Sequence, residues 1–122
     1  MADRAAVEDW VRRYIDAWDS NDPEEIGALF TDSARYYTAP HRQPWSGRED
    51  IVEGWLDRKD EEGEWRFSWE VLGVDGDLGF VKGVTASSKL PDCSNLWVIR
   101  LEEDGRASEF VEYWMEVEEE EE

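Results

Sequence analysis

The chain has one cysteine, one histidine, three lysines and no apolar run approaching the roughly 18 residues of a membrane span. The lone Cys93 excludes an internal disulfide and fits a reducing cytoplasm, the expected location. His41 and Cys93, far apart in sequence, leave only scattered carboxylates, so no metal site is expected. No phosphate-cradling glycine loop, dinucleotide fingerprint or serine elbow occurs, so no cofactor is expected. The opening MADRAAVEDW turns acidic and amphipathic at once and lacks the apolar core of a secretory signal. Positive charge is also scarce. Thirteen basic residues face 32 acidic ones, a net charge of −19, which excludes nucleic acid and disfavours anionic membranes as partners. Such a surface keeps molecules apart but repels itself until salt screens it. Ten arginines beside three lysines, with the acidic excess, suggest a salt-adapted or high-GC source.

Aromatic residues are abundant. Eight tryptophans in 122 residues imply an aromatic interior within the acidic shell. The length suits a single domain, expected over 1–117, with 118–122 as a frayed acidic tail. Val7, Trp10, Val11, Tyr14, Ile15 and Trp18 form one apolar helical stripe, which Asp3 can cap and DSND followed by Pro23 stops. Asp22-Pro23-Glu24-Glu25 opens a short second helix with Ile26, Leu29 and Phe30 on its buried side. A short strand follows at about 34–38. Ser46-Gly47-Arg48-Glu49 opens a third helix, ending near Lys59. From Trp65 the period changes to two, predicting strands from Trp65, over 78–88, over 95–102 and over 106–117. Helices first and strands later indicate α+β. The expected architecture is a cone-shaped, curved antiparallel sheet wrapped around the long N-terminal helix, with two shorter helices. A strongly bent sheet leaves a hollow at its wide end.

Three stretches carry a family resemblance: RRYIDAWDSNDPEEIGALFTDSARY, WSGREDIVEGW and the closing VEYW. In this order they resemble the nuclear transport factor 2-like superfamily, in its SnoaL-like branch, over about 7–117. That resemblance implies the cone and, for ketosteroid isomerases, polyketide cyclases, dehydratases and epoxide hydrolases, a greasy substrate buried in it. Many relatives are non-catalytic. Against the steroid isomerases, Tyr14 matches the helix tyrosine that serves as oxyanion donor. Ala39 stands where they keep a general-base aspartate before a proline, and Trp97 where they keep a protonated aspartate. The steroid-isomerase route is therefore excluded. The dehydratases' paired histidines cannot be matched by one histidine.

Three residues remain candidates for acid–base work: Tyr14 as donor, with His41 or Glu112 as base. His41 lies in the loop ARYYTAPHRQPW at 34–45, expected to border the pocket, and imidazole moves protons near neutrality. On the last strand Phe110, Glu112 and Trp114 alternate with Val111, Tyr113 and Met115. Periodicity favours burial of the Val111 face; the resemblance puts Trp114's face, and Glu112 with it, in the cavity. Burial there would suit Glu112 to proton transfer. Trp18, Phe30, Tyr36, Trp55, Trp97, Phe110 and Trp114 are expected to line the site around a small apolar or aromatic ligand. The rival reading is a non-catalytic homodimeric or partner-binding module. Its interface would be the sheet face bearing Val111, Tyr113, Met115 and Val117 beside Leu96 and Val98.

Overall fold

A computed structural model of the protein describes residues 3–39, 41–57, 65–87 and 93–116. The expectations for Pro40, Lys59, Pro91-Asp92, Val117 and the acidic tail lie outside those residues. Helix α1 (Arg4–Ser20) starts at Asp3, whose carboxylate accepts from the Ala6 N–H at 2.8 Å. It ends where Asn21 turns left-handed, at φ 52°, and donates its N–H to the Ala17 carbonyl. At about 1.5 Å per residue, 17 residues give a rod of roughly 25 Å. Helix α2 (Pro23–Ala28) is capped by Asp22, with proline at its start as the sequence predicts. Helix α3 (Arg48–Asp57) follows the short strand β2 (Trp45–Ser46).

The sheet contains β1 (Phe30–Tyr37), β2, β3 (Trp65–Asp75), β4 (Leu78–Ser87), β5 (Cys93–Leu101) and β6 (Ala107–Glu116). Their spatial order is β2-β1-β6-β5-β4-β3. All neighbours pair antiparallel except β1 and β6, which run parallel with Tyr36 beside Phe110. The sheet is therefore mixed. A parallel pair needs a long crossover, here the rest of the domain, so local turn signals could not reveal it. Strand β1 also starts four residues before its predicted start, at 30 against 34. Thr31-Asp32-Ser33 reads as a loop, yet Phe30 already pairs with Ala107, and the register shifts between Phe30 and Arg35. Further shifts lie between Val71 and Gly73 and between Arg100 and Leu101. Irregularities of this kind bend strands and bow the sheet.

The bowed sheet takes α1 on its concave side. Val7, Trp10, Val11, Tyr14 and Ala17 are the buried residues of α1, the stripe read from the sequence with its flanking positions Ile15 and Trp18 half-buried. Gly79 on β4 permits the close approach, since a Cβ there would lie 2.6 Å from Val7 Cγ2. Trp10 donates its indole N–H to the Leu29 carbonyl at 2.9 Å and packs against Phe30 and Phe110, closing the narrow end. Among the described residues no helix is long and apolar enough to cross a membrane.

Candidate functional site

At the other end of the cone the rings do not close. A cavity of about 350 Å³ opens there, bordered by side chains from α1, α3, β1, β2, β4, β5 and β6. Tyr14 and Trp18 come from α1, Tyr36 and Thr38 from β1 and its exit, Trp45 from β2 and Trp55 from α3. Thr85 comes from β4, Cys93, Asn95 and Trp97 from β5, and Glu112 and Trp114 from β6. Among the described residues, seven of the twelve that line it are aromatic, and none is Lys, Arg or His.

Two polar groups converge on this aromatic wall. The first is a carboxylate network across three adjacent strands. Trp97 donates its indole N–H to Glu112 Oε2 at 2.6 Å, and Asn95 Nδ2 donates to the same oxygen at 3.2 Å. Thr85 in turn donates its hydroxyl to Asn95 Oδ1 at 2.8 Å, fixing which way the amide faces. Strand pairing makes the network possible, because Trp97 sits directly opposite Glu112 in the β5–β6 ladder. Donors to one oxygen hold the carboxylate in a defined orientation. The second group is the pair Tyr14 Oη···Tyr36 Oη at 2.7 Å. Phe110, fully buried, stacks against both tyrosine rings, with centroids at 5.4 and 4.6 Å.

Of the residues singled out from the sequence, Tyr14, Glu112, Trp18, Tyr36, Trp55, Trp97 and Trp114 come together around the cavity. Three do not. Phe30 is sealed against Trp10 at the closed end, and as the first residue of β1 it leaves the short helix where periodicity had put it. Phe110 lies beneath the tyrosines rather than at the cavity surface. His41 is exposed outside the lining, beside a turn in which Arg42 N–H bonds the Ala39 carbonyl. The loop from 34 to 45 does border the cavity, but through Tyr36, Thr38 and Trp45.

The last strand resolves the question of its faces. Phe110, Glu112 and Trp114 point inward, while Val111 is half-buried and Tyr113 and Met115 are exposed on the outside. The Val111 face, which periodicity favours for burial, is thus the outer one; the inner face accommodates the charged Glu112 because Trp97 and Asn95 donate to it. Thr38, Trp45, Thr85, Cys93 and Asn95 escaped the sequence reading. Asn95 and Cys93 share the inward phase of Trp97 and Ile99, a period-two signal that could have found them. Trp45 had no such signal; its ring stacks on Tyr36 at 4.9 Å because Gly54 on α3 leaves room. Among the described residues no group of three or more His, Cys, Asp or Glu side chains is placed to hold a metal ion.

Comparison with known proteins follows this geometry. The SnoaL-like domain family matches residues 11–111. No curated protein matches the sequence significantly. Among solved structures, a protein of Kribbella flavida DSM 17836 proposed to be a ketosteroid isomerase is similar, with TM-score 0.73 and 22% identity, covering 100% of this chain and 87% of that one. A nuclear transport factor 2-like protein of unknown function from Burkholderia xenovorans LB400 has TM-score 0.76 and 11% identity, over 96% and 88% of the chains. SalBIII, an epoxide hydrolase/cyclase-like enzyme with a role in pyran ring formation in the polyether salinomycin, has TM-score 0.76 and 17% identity over 94% and 95%. At such identities the structural likeness establishes the α+β cone alone. The match along residues 11–111 goes further, and with it this chain belongs to the SnoaL-like domain family, on the nuclear transport factor 2-like fold.

Proposed function

We propose that the domain binds a small, largely apolar molecule in the aromatic cavity and acts on it by proton transfer of the isomerase, cyclase or dehydratase kind. The supporting observation is the convergence of one oriented carboxylate and one hydroxyl pair on a single cavity of about 350 Å³. That volume falls in the ~300–1,000 Å³ range of small-molecule sites. Glu112 is the base in this reading, held in place by Trp97 and Asn95. Tyr14 and Tyr36 share one proton between their oxygens. The second proton goes to whichever acceptor lies against the pair, and a ligand carbonyl would be one. The steroid-isomerase route stays excluded, because Ala39 cannot move a proton.

Calorimetry with a panel of small cyclic ketones tests binding, and solvent deuterium appearing at the ketone's α-carbon tests proton transfer. Trp114→Ala should weaken binding by about fivefold, and Glu112→Gln should stop exchange while leaving binding largely intact. Undiminished exchange in Glu112→Gln would remove that residue from the chemistry. Failure of every ketone to bind would end the carbonyl part of this reading, and failure of every small-molecule probe would end it altogether.

A second reading rests on the outer sheet face, where Val84, Tyr113 and Met115 are exposed. Exposed large apolar side chains in a row are the mark of an association surface, here for a homodimer. Mass in solution across a salt series, with Tyr113→Asp as the disrupting variant, tests it. A monomer at every salt concentration would discard it.

A further inference from the structure

The lining has an unusual combination of chemistries. Its rings belong mostly to tryptophan, whose electron-rich face attracts cations best among the aromatic side chains. Among the described lining residues Glu112 is the one carboxylate, and none is basic. The indole N–H groups that would recognise an anion or a carbonyl are turned to the protein itself at two walls. Trp97 Nε1 goes to Glu112, and Trp55 Nε1 goes to Asn21 Oδ1 at 3.1 Å. The molecule as a whole carries −19, so its field raises the local concentration of cations near any opening.

We infer that the cavity is built for a small organic cation, a nitrogen-centred charge wrapped in methyl or methylene groups. The inference rests on the ligand-binding reading above and narrows its ligand class. A neutral apolar ligand pressed over Glu112 strips water from a carboxylate without replacing that interaction, which is unfavourable. An alkylammonium group meets the carboxylate with charge and the rings with its polarised methyl surface, so the same burial becomes attractive. Trp18, Trp45 and Trp114, all partly exposed, supply the ring surface, and Glu112 supplies the charge.

The test is calorimetric titration of the full chain with choline and with its neutral isostere, in which carbon replaces nitrogen. Choline should bind at least about tenfold more tightly. Glu112→Gln keeps the side chain's shape and one acceptor oxygen but removes the charge, so the preference should fall to less than about threefold. Raising ionic strength should narrow the preference without abolishing it, because the rings act at contact range. Equal or tighter binding of the neutral isostere overturns the cation assignment while leaving the cavity reading intact. A full preference retained in Glu112→Gln also overturns it, since the selectivity would then arise elsewhere. If neither probe binds while the ketone panel does, the cation assignment alone falls; if nothing binds, both fall.

Discussion

Trp10 and Trp97 are both buried, at 0% and 1% exposure, yet they belong to regions with opposite uses. Trp10 lies at the narrow end of the cone, where its N–H meets a backbone carbonyl and its ring meets Tyr14, Phe30 and Phe110. These neighbours are aromatic rings and a backbone carbonyl, and among the described residues no carboxylate accepts from the indole. Trp97 lies at the wide end, where its N–H meets a carboxylate and its ring stacks on Phe67 at 4.7 Å beside a cavity. The difference shows what makes a site in this fold. The sheet is wide enough for rings from α1 to fill one end, and at the other end the same kind of ring becomes a wall.

Substitutions at the two ends should separate these roles. The largest effect is expected for Trp10→Ala, which leaves a ring-sized hole and removes one of the two donors to the Leu29 carbonyl, the Ala107 N–H remaining. It should lower stability by about 3–5 kcal/mol, on the order of 15 °C in melting temperature, as read by thermal unfolding. Trp114→Ala, at a residue 49% exposed on the rim, should move the melting temperature by only a few degrees while weakening ligand binding. Similar losses of stability at both positions would erase the distinction.

A second pair uses glycines. Gly79→Ala drives a methyl group into Val7 at the closed end, where α1 and β4 are in direct contact, and should cost about 1–3 kcal/mol. Gly54→Ala meets the Trp45 ring instead, with Cε2 2.5 Å from the new Cβ. Trp45 is only half-buried, so it should swing aside at the cost of about 1 kcal/mol, and the lost wall should show as weaker ligand binding. A Gly54→Ala protein with unchanged affinity would show that Trp45 takes no part in the site.

Within the wide end, Thr85→Val removes the donor that orients Asn95 and should cost about 1 kcal/mol. Proton exchange should slow more than ketone affinity falls, because Asn95 acts on Glu112 rather than on the ligand. The smallest effect belongs to the β5–β6 turn, remote from both regions. The Arg106 backbone N–H, then its side chain, holds the exposed Asp104 carboxyl below its ordinary value of 3.8. A depressed folded value means the contribution is present above the ordinary value and is lost as pH falls through the folded one. Asp104→Asn should therefore lower the melting temperature slightly at neutral pH, and the gap from the parent should close in acid.

Much of this was legible beforehand where the signal is local. The α1 stripe, the Asp3 and Asp22 caps and the Pro23 start each rest on a few consecutive residues, and each appears in the structure. The site was half legible. Tyr14, Trp18, Trp55 and Trp97 carried periodicity or resemblance, whereas Trp45 is placed by pairing with Tyr36 across β1 and β2 and by the room that Gly54 leaves. His41 drew attention by its chemistry alone, and the turn after Ala39 leaves it in solvent.

What the residues alone determined was the three helices, the long strands, the net charge and the family, because helix period, strand period and charge are properties of short stretches or of the whole composition. The tertiary structure decided three further matters: the parallel seating of β1 on β6, the inward face of the last strand and the meeting of Trp97 with Glu112. Each depends on which strand lies beside which and in what register. That is set by how the bowed sheet closes over α1, and no single stretch of the chain carries it.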